Sequence, residues 1–98
     1  MKWFAPWEPI ETPAESESLL SELKRELPAS HPLSGLAVRA IGRSCIDDDV
    51  LFEIEDGSRR VALVHLTWRA DREVMPWPAT SLYEDFSAWT ESTGIVDG

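Results

Sequence analysis

Three residues with side chains common in catalysis lie close together in the middle of the sequence: His65, Asp48 and Cys45. A carboxylate beside an imidazole orients the ring for base catalysis, and a nearby thiol would supply a nucleophile. No motif joins the three, and the aspartates of the "IDDDV" segment would raise the pKa of the thiol, opposite to what a nucleophile needs. Structural roles for the histidine and the cysteine are therefore the favoured interpretation, and a catalytic set is the weak alternative.

The acidic segment at residues 46–50 also raises the question of a metal site, since it contains three consecutive carboxylates. Calcium loops place their ligands at alternate positions around a glycine, and this segment has neither feature. Two histidines and one cysteine are too few for a closed four-ligand zinc site without carboxylates. The sequence predicts a solvated acidic turn, with no metal and no cofactor.

Tryptophan is the other unusual feature, because the chain has five in 98 residues. Tryptophan is enriched both in small cores and in interface hot spots. Those at positions 3 and 7 stand in a proline-punctuated segment, where they either cover the sheet or anchor a partner, and Trp77 lies between two prolines that extend the backbone. The candidate binding residues are Trp3, Trp7, Leu66, Trp68, Arg69 and Trp77.

A first helix is predicted between Thr12 and Pro28. Thr12 is a favoured N-cap, a proline follows at the first helical position, and Glu15 completes a capping box. Leucines at positions 19, 20, 23 and 27 form one apolar stripe, which leaves Glu22 and Glu26 among the residues expected to face solvent.

A second helix is predicted over residues 79–93. Thr80 or Ser81 serves as its cap, Glu84 completes a Ser-x-x-Glu box, and apolar residues at positions 82, 86 and 89 share one face. We expect Trp89 in the core.

A β-hairpin is predicted between the helices, because Asp56-Gly57 is a favoured two-residue turn between two β-rich runs. That turn places Phe52 opposite Val61, and His65 roughly opposite Asp48 near the end of the hairpin. One side of the hairpin then carries Val50, Phe52, Ile54, Val61, Leu63 and His65, and is expected to face the core. The other side carries Leu51, Ala62, Val64, Leu66 and Trp68, and is too apolar to remain in water.

A further strand is expected within residues 36–45, interrupted near Gly42. The predicted fold is therefore α+β, with the order helix, three-stranded antiparallel meander, helix. We expect residues 1–98 to form one domain, with an irregular segment at residues 1–12 and a loose tail at residues 93–98.

The charge of the chain restricts its partners. A net charge of −9 repels phosphate backbones and anionic lipid headgroups, which disfavours nucleic acid and membrane surfaces. The sequence has no signal-peptide pattern and no apolar run long enough to span a bilayer. A lone cysteine fits a reducing compartment, so we expect a cytoplasmic protein.

The segments "VHLTW" at residues 64–68 and "WPAT" at residues 77–80, with Tyr83 nearby, resemble segments of a set of small uncharacterised bacterial proteins. The resemblance covers roughly residues 60–86. It implies a bacterial cytoplasmic origin and no particular activity.

The leading hypothesis is a small acidic, non-enzymatic interaction or regulatory protein that binds another protein or its own copy. A homodimer would bury the hairpin side that carries Leu51, Val64, Leu66 and Trp68, whereas an antidote-like binder would use its negative field to reach a basic partner. The alternative is a small enzyme or ligand-binding protein, with a pocket around His65 lined by Asp48, Thr67, Trp68 and Trp77.

Overall fold

The computed structural model describes residue 3, residues 6–68 and residues 79–92. These residues form one antiparallel sheet of five strands, in the same order in the sheet as in the chain, together with two helices. The mixed α+β class is as predicted, but the sheet has five strands in place of three. The elements are β1 (Trp7–Pro9), α1 (Pro13–Glu26), β2 (Val38–Ser44), β3 (Asp49–Ile54), β4 (Val61–His65), β5 (Thr80–Tyr83) and α2 (Phe86–Ser92).

Helix α1 begins where the sequence predicts. The hydroxyl of Thr12 accepts a hydrogen bond from the backbone N–H of Glu15 at 3.2 Å, and the helix ends two residues before Pro28. The prediction that Glu22 and Glu26 face solvent is wrong, since both side chains are buried against the rest of the chain.

The β3–β4 hairpin exists, but its turn is longer than predicted. The N–H of Ile54 bonds to the carbonyl of Arg60 at 2.9 Å, which leaves five residues in the loop. Side chains stabilise this longer loop, because Asp56 accepts the N–H of Ser58 and Ser58 accepts the N–H of Arg60. Residue 59 adopts a left-handed conformation, with φ at 67°.

The longer turn shifts the register by one residue, so the predicted faces of the hairpin are wrong. Val50 lies opposite Val64, and Phe52 lies opposite Ala62. A one-residue shift moves every side chain of β4 to the other face relative to β3. His65 therefore does not share a face with Phe52.

Both faces of the sheet are covered by the chain itself. On one face α1 packs over Val50, Phe52, Ala62, Val64 and Leu66, and on the other the aromatic side of α2 covers Leu51 and Val61. The patch predicted for a homodimer does not exist, since its residues fall on both faces. Leu51, Val64 and Leu66 are buried, and only Trp68 is exposed.

The C-terminal part of the chain departs from the prediction of one long helix. Residues 80–83 form β5, paired with β4 from Val61 to Val64. Helix α2 begins only at Phe86, after Asp85, whose carboxylate accepts the N–H of Ala88 at 2.8 Å. Residues 81–84 carry a Ser-x-x-Glu capping pattern, but pairing with β4 favours a strand over a helix there. Trp89 is buried as expected.

The N-terminal segment, predicted to be irregular, contains strand β1. β1 pairs with β2 at the edge of the sheet, and the register of β2 shifts between Ala40 and Gly42, which confirms the predicted interruption. A Cβ atom at Gly42 would overlap the ring of Trp3. The glycine is therefore required by the close approach of that indole to the strand.

Candidate functional site

The turn between β2 and β3 and the segment after β4 meet at one end of the sheet. The N–H of Leu66 bonds to the carbonyl of Asp48 at 3.2 Å, and Trp68 follows two residues later. Within the turn, Ser44 accepts the N–H of Ile46 and Asp47 accepts the N–H of Asp49. We call the residues that this end presents to solvent the acidic end surface: Ile46, Asp47, Asp48, His65 and Trp68.

Trp68 is the most distinctive residue of this surface. Its backbone is left-handed, with φ at 57°, a conformation that bulky residues rarely adopt. Its side chain is 46% exposed, although tryptophan usually finds cover in a chain of this size. A strained backbone that leaves an indole in water requires a specific restraint.

Glu26, in the last turn of α1, supplies that restraint. Its carboxylate accepts the N–H of Thr67 at 2.9 and 3.1 Å and the N–H of Trp68 at 2.9 Å. Burial and a hydrogen bond with Glu22 raise the pKa of Glu26, and the bonds from residues 67 and 68 act in the opposite direction. Glu22 is itself buried and bonds to Arg25 at 3.0 Å.

The sequence contains a signal for this arrangement that the prediction missed. Leu19, Glu22, Leu23 and Glu26 follow the spacing of a single helix face, and all four are buried. The predicted leucine stripe includes positions 20 and 27, which are only partly buried. The general preference of glutamate for solvent outweighed the helical spacing.

His65 is paired with a carboxylate, but with Asp49 and not with the predicted Asp48. Its Nδ1 atom lies 2.8 Å from an oxygen of Asp49, and the ring is half exposed. The one-residue register shift is the reason, since it places Asp49 directly opposite His65. The pair can orient the imidazole.

Cys45 does not join this pair. Its N–H bonds to the carbonyl of Pro6, and its exposed thiol interacts with the carboxyl group of Glu8. The hydrogen bond to Glu8 raises the pKa of the thiol, which disfavours the thiolate that a nucleophile needs. The weak alternative of a Cys-His-Asp set uses Asp48, whereas the carboxylate that contacts His65 is that of Asp49.

His31, for which the sequence predicts no role, is a buried structural residue. Its Nδ1 atom accepts the N–H of Leu33 at 3.1 Å, so the ring proton is on Nε2. Nε2 lies 3.1 Å from the hydroxyl oxygen of Thr80 and donates to it. The loop after α1 is thereby joined to the first residue of β5.

Trp3 and Trp7 cover the sheet, which is one of the two roles that the sequence predicts for them. The ring of Trp3 lies 5.0 Å from Phe86 between centroids, and Trp7 lies 5.0 Å from Trp89. Both indoles are partly buried in this aromatic cluster. They contribute packing energy to the face under α2.

The other candidate binding residues differ in position. Leu66 is fully buried under α1 and presents no side chain to a partner. Arg69 and Trp77 lie outside the residues that the structure describes.

Three shallow grooves lie elsewhere on the surface. One of about 480 Å³ runs between the start of α1 and β2, one of about 460 Å³ lies beside residues 33–38, and one of about 330 Å³ lies beside Phe86. None of these three is lined by His65 or Trp68.

Over residues 6–68 and 79–92, no three His, Cys, Asp or Glu side chains are grouped to hold a metal. Within the same ranges, neither helix is long and apolar enough to span a bilayer.

Comparison with protein-family models, with characterised proteins and with solved structures finds no match for this chain. The resemblance of residues 60–86 to small bacterial proteins therefore stays a prediction.

Proposed function

We propose that the protein is a small acidic, non-enzymatic interaction protein that binds a basic protein partner through its acidic end surface. The observation that carries this proposal is Trp68, an exposed indole on a left-handed backbone that the buried carboxylate of Glu26 fixes in place.

An indole held in this way suits the role of an interface anchor. Tryptophan is among the residues that contribute most binding energy when a partner buries it. Because the backbone of Trp68 is restrained before binding, less conformational freedom is lost on association. Ile46, which is 76% exposed in the adjoining turn, adds a second apolar contact.

The charge of the surface defines the partner. Asp47 and Asp48 are exposed in the turn that carries Ile46, on a chain whose net charge is −9. A negative field of this size speeds the approach of a basic protein and disfavours acidic ones. The partner class is therefore a protein with a lysine- or arginine-rich face and an apolar recess.

The test is affinity capture from the source cell with the wild-type protein, Trp68→Ala and Leu36→Ala. Leu36 is the matched control because it is another exposed apolar residue, 37% accessible, beside a different groove. We expect a basic protein that wild type and Leu36→Ala retain at low salt, and that Trp68→Ala loses. Raising the salt concentration to 0.5 M should release it.

Binding measurements with the purified partner then give the size of the change in affinity. Removal of an anchor tryptophan should weaken the affinity by at least about 30-fold, which corresponds to about 2 kcal/mol. Equal affinity of wild type and Trp68→Ala for that partner contradicts the proposal. So does a captured protein that is acidic or insensitive to salt.

A second candidate function rests on the 2.8 Å contact between His65 and Asp49, which supports a small enzyme or ligand-binding protein. It requires a small molecule that binds beside the imidazole. A thermal-shift screen of carboxylates, phosphates and amines tests this, with His65→Ala as the comparison. Stabilisation that disappears in His65→Ala favours this candidate, and its absence favours the interaction protein.

A further inference from the structure

The outer side of β5 is an edge of the sheet. Within the part of the chain that the structure describes, β4 pairs with β5 on one side and no strand pairs on the other. An edge strand presents backbone N–H and C=O groups to which another chain can add.

The pattern of backbone hydrogen bonds between β4 and β5 shows which backbone groups of β5 point outward. The N–H of His65 bonds to the carbonyl of Ala79, which marks these two residues as a hydrogen-bonded pair of the antiparallel ladder. In an antiparallel pair the exchanging residues alternate with residues whose N–H and C=O point away. The next exchanging pair is Leu63 with Ser81, and the backbone groups of Thr80 and Leu82 therefore point outward.

The opposite edge of the sheet is blocked by its sequence. In β1 the N–H of Ile10 bonds to the carbonyl of Ile41, so the outward-pointing residues are Trp7 and Pro9. Pro9 has no N–H to offer, and the residue between them is Glu8. Proline and charged residues are the usual protection of an exposed edge.

β5 has neither protection. Its sequence, "TSLY", contains no proline and no charge, and the side chain of Leu82 is 44% exposed. The bond from His31 to the hydroxyl of Thr80 fixes the start of the strand. An uncharged edge strand with an exposed leucine is suited to strand addition.

We propose that β5 accepts an extended, basic segment of a partner protein as a sixth, antiparallel strand. The segment exchanges two backbone hydrogen bonds with Leu82, and the residue opposite Leu82 is apolar. Continuing the register, a residue two positions earlier in the segment lies beside Glu84, an exposed carboxylate, and is lysine or arginine.

Charge selects this occupant over a second copy of the chain. Two copies, each with a net charge of −9, repel one another, whereas a basic segment is attracted. The outer edge of β5 at Leu82 shares no residue with the acidic end surface, so the inference goes beyond the proposed function and does not depend on Trp68.

The test is an NMR titration of the full chain with the peptide acetyl-TKTVTKT-amide, followed through the backbone amides and their exchange with solvent. We expect saturable shifts at Thr80 and Leu82 and slower exchange of the Leu82 amide. Leu82→Pro removes the outward N–H and should weaken binding about tenfold, while Leu82→Ala keeps the N–H and should retain most of it. Circular dichroism of each variant confirms that it is folded.

Two control peptides separate strand addition from charge attraction. The acidic peptide acetyl-TETVTET-amide and the basic peptide with N-methylvaline at its centre should both bind at least tenfold more weakly. Equal binding of the N-methylated peptide, or shifts confined to residues 46–48 and 68, overturns the inference. Self-association of the free chain through Leu82, seen as a concentration-dependent shift of that amide, also overturns it in favour of a second copy.

Discussion

Replacing Glu26 by alanine removes the acceptor that holds the segment after β4. The backbone N–H groups of Thr67 and Trp68 lose their partner in a part-buried position. An unsatisfied buried donor costs about 1–3 kcal/mol, so two of them cost about 3 kcal/mol after partial rehydration. A domain of this size unfolds with a free energy of about 5–15 kcal/mol, so the loss is a large fraction of its stability.

The assay is urea denaturation followed by circular dichroism, with thermal unfolding as a second measurement. A loss of about 3 kcal/mol lowers the Tm by about 12–24 °C for a chain of this length. Glu17→Ala is the matched control, since Glu17 is an exposed glutamate of the same helix, and it should change stability by less than about 0.5 kcal/mol. If Glu26→Ala lowers the free energy of unfolding no more than Glu17→Ala does, the hydrogen bonds to Glu26 do not restrain Trp68.

The raised pKa of Glu26 gives a second readout of the same residue. The carboxyl group of Glu26 holds its proton more tightly in the folded state than in the unfolded state, where its pKa has the ordinary value of 4.5. The resulting stabilisation is fully present below pH 4.5 and is lost as the pH rises through the pKa of the folded state. Glu26→Gln cannot titrate, so its stability relative to wild type should increase between pH 4 and pH 7. A constant difference over that range contradicts the assigned direction.

Three further substitutions test the fold around the site. Gly42→Ala should destabilise the protein by about 1–3 kcal/mol in urea, because the added methyl group displaces the ring of Trp3. Arg59→Gly should stabilise it by up to about 1 kcal/mol, because glycine adopts the left-handed conformation at this position without strain. Hydrogen bonds from Ser58 and the nearby Arg60 guanidinium lower the pKa of Asp56 from its usual 3.8 to about 2. The ionised carboxylate therefore stabilises the folded state above pH 3.8, and this stabilisation is lost as the pH falls toward 2. Asp56→Asn should remove that part of the acid sensitivity, measured by thermal unfolding between pH 2 and pH 5.

The elements that the sequence predicts correctly are those determined by neighbouring residues. Helix α1 follows from Thr12 and Pro13 at its start and from Pro28 after its end, and these signals act within a few residues. The interruption of β2 at Gly42 is likewise visible in the sequence. The mixed α+β class follows from the presence of such helical and strand patterns in one chain.

The register of the hairpin could not be predicted because it depends on side-chain hydrogen bonds within the loop. Asp56-Gly57 fits a two-residue turn, and only the bonds through Ser58 show why a five-residue loop forms. That single difference changes the partner of His65 from Asp48 to Asp49. The sequence therefore predicts a partner for His65 that is one residue away from the carboxylate it contacts.

Residues 80–83 show how tertiary contacts override a local helix signal. Thr80 and Tyr83 are residue types that favour strands, and pairing with β4 satisfies the backbone groups that face it. Cap signals predicted a helix through the same residues, because sequence alone does not show that β4 offers an open edge.

The buried pair Glu22 and Glu26 connects stability with the proposed function. Buried carboxyl groups are costly, and apolar side chains of similar size commonly give a more stable protein. Glu26→Met keeps the volume of the side chain and removes the buried carboxyl group, but like Glu26→Ala it leaves the N–H groups of Thr67 and Trp68 without that acceptor, so the left-handed turn loses its restraint. We expect this variant to bind the basic partner at least fivefold more weakly while Trp68 remains in the chain. A Glu26→Met protein with wild-type affinity would show that the indole needs no restraint from α1, and would leave the burial of this carboxylate as a matter of folding alone.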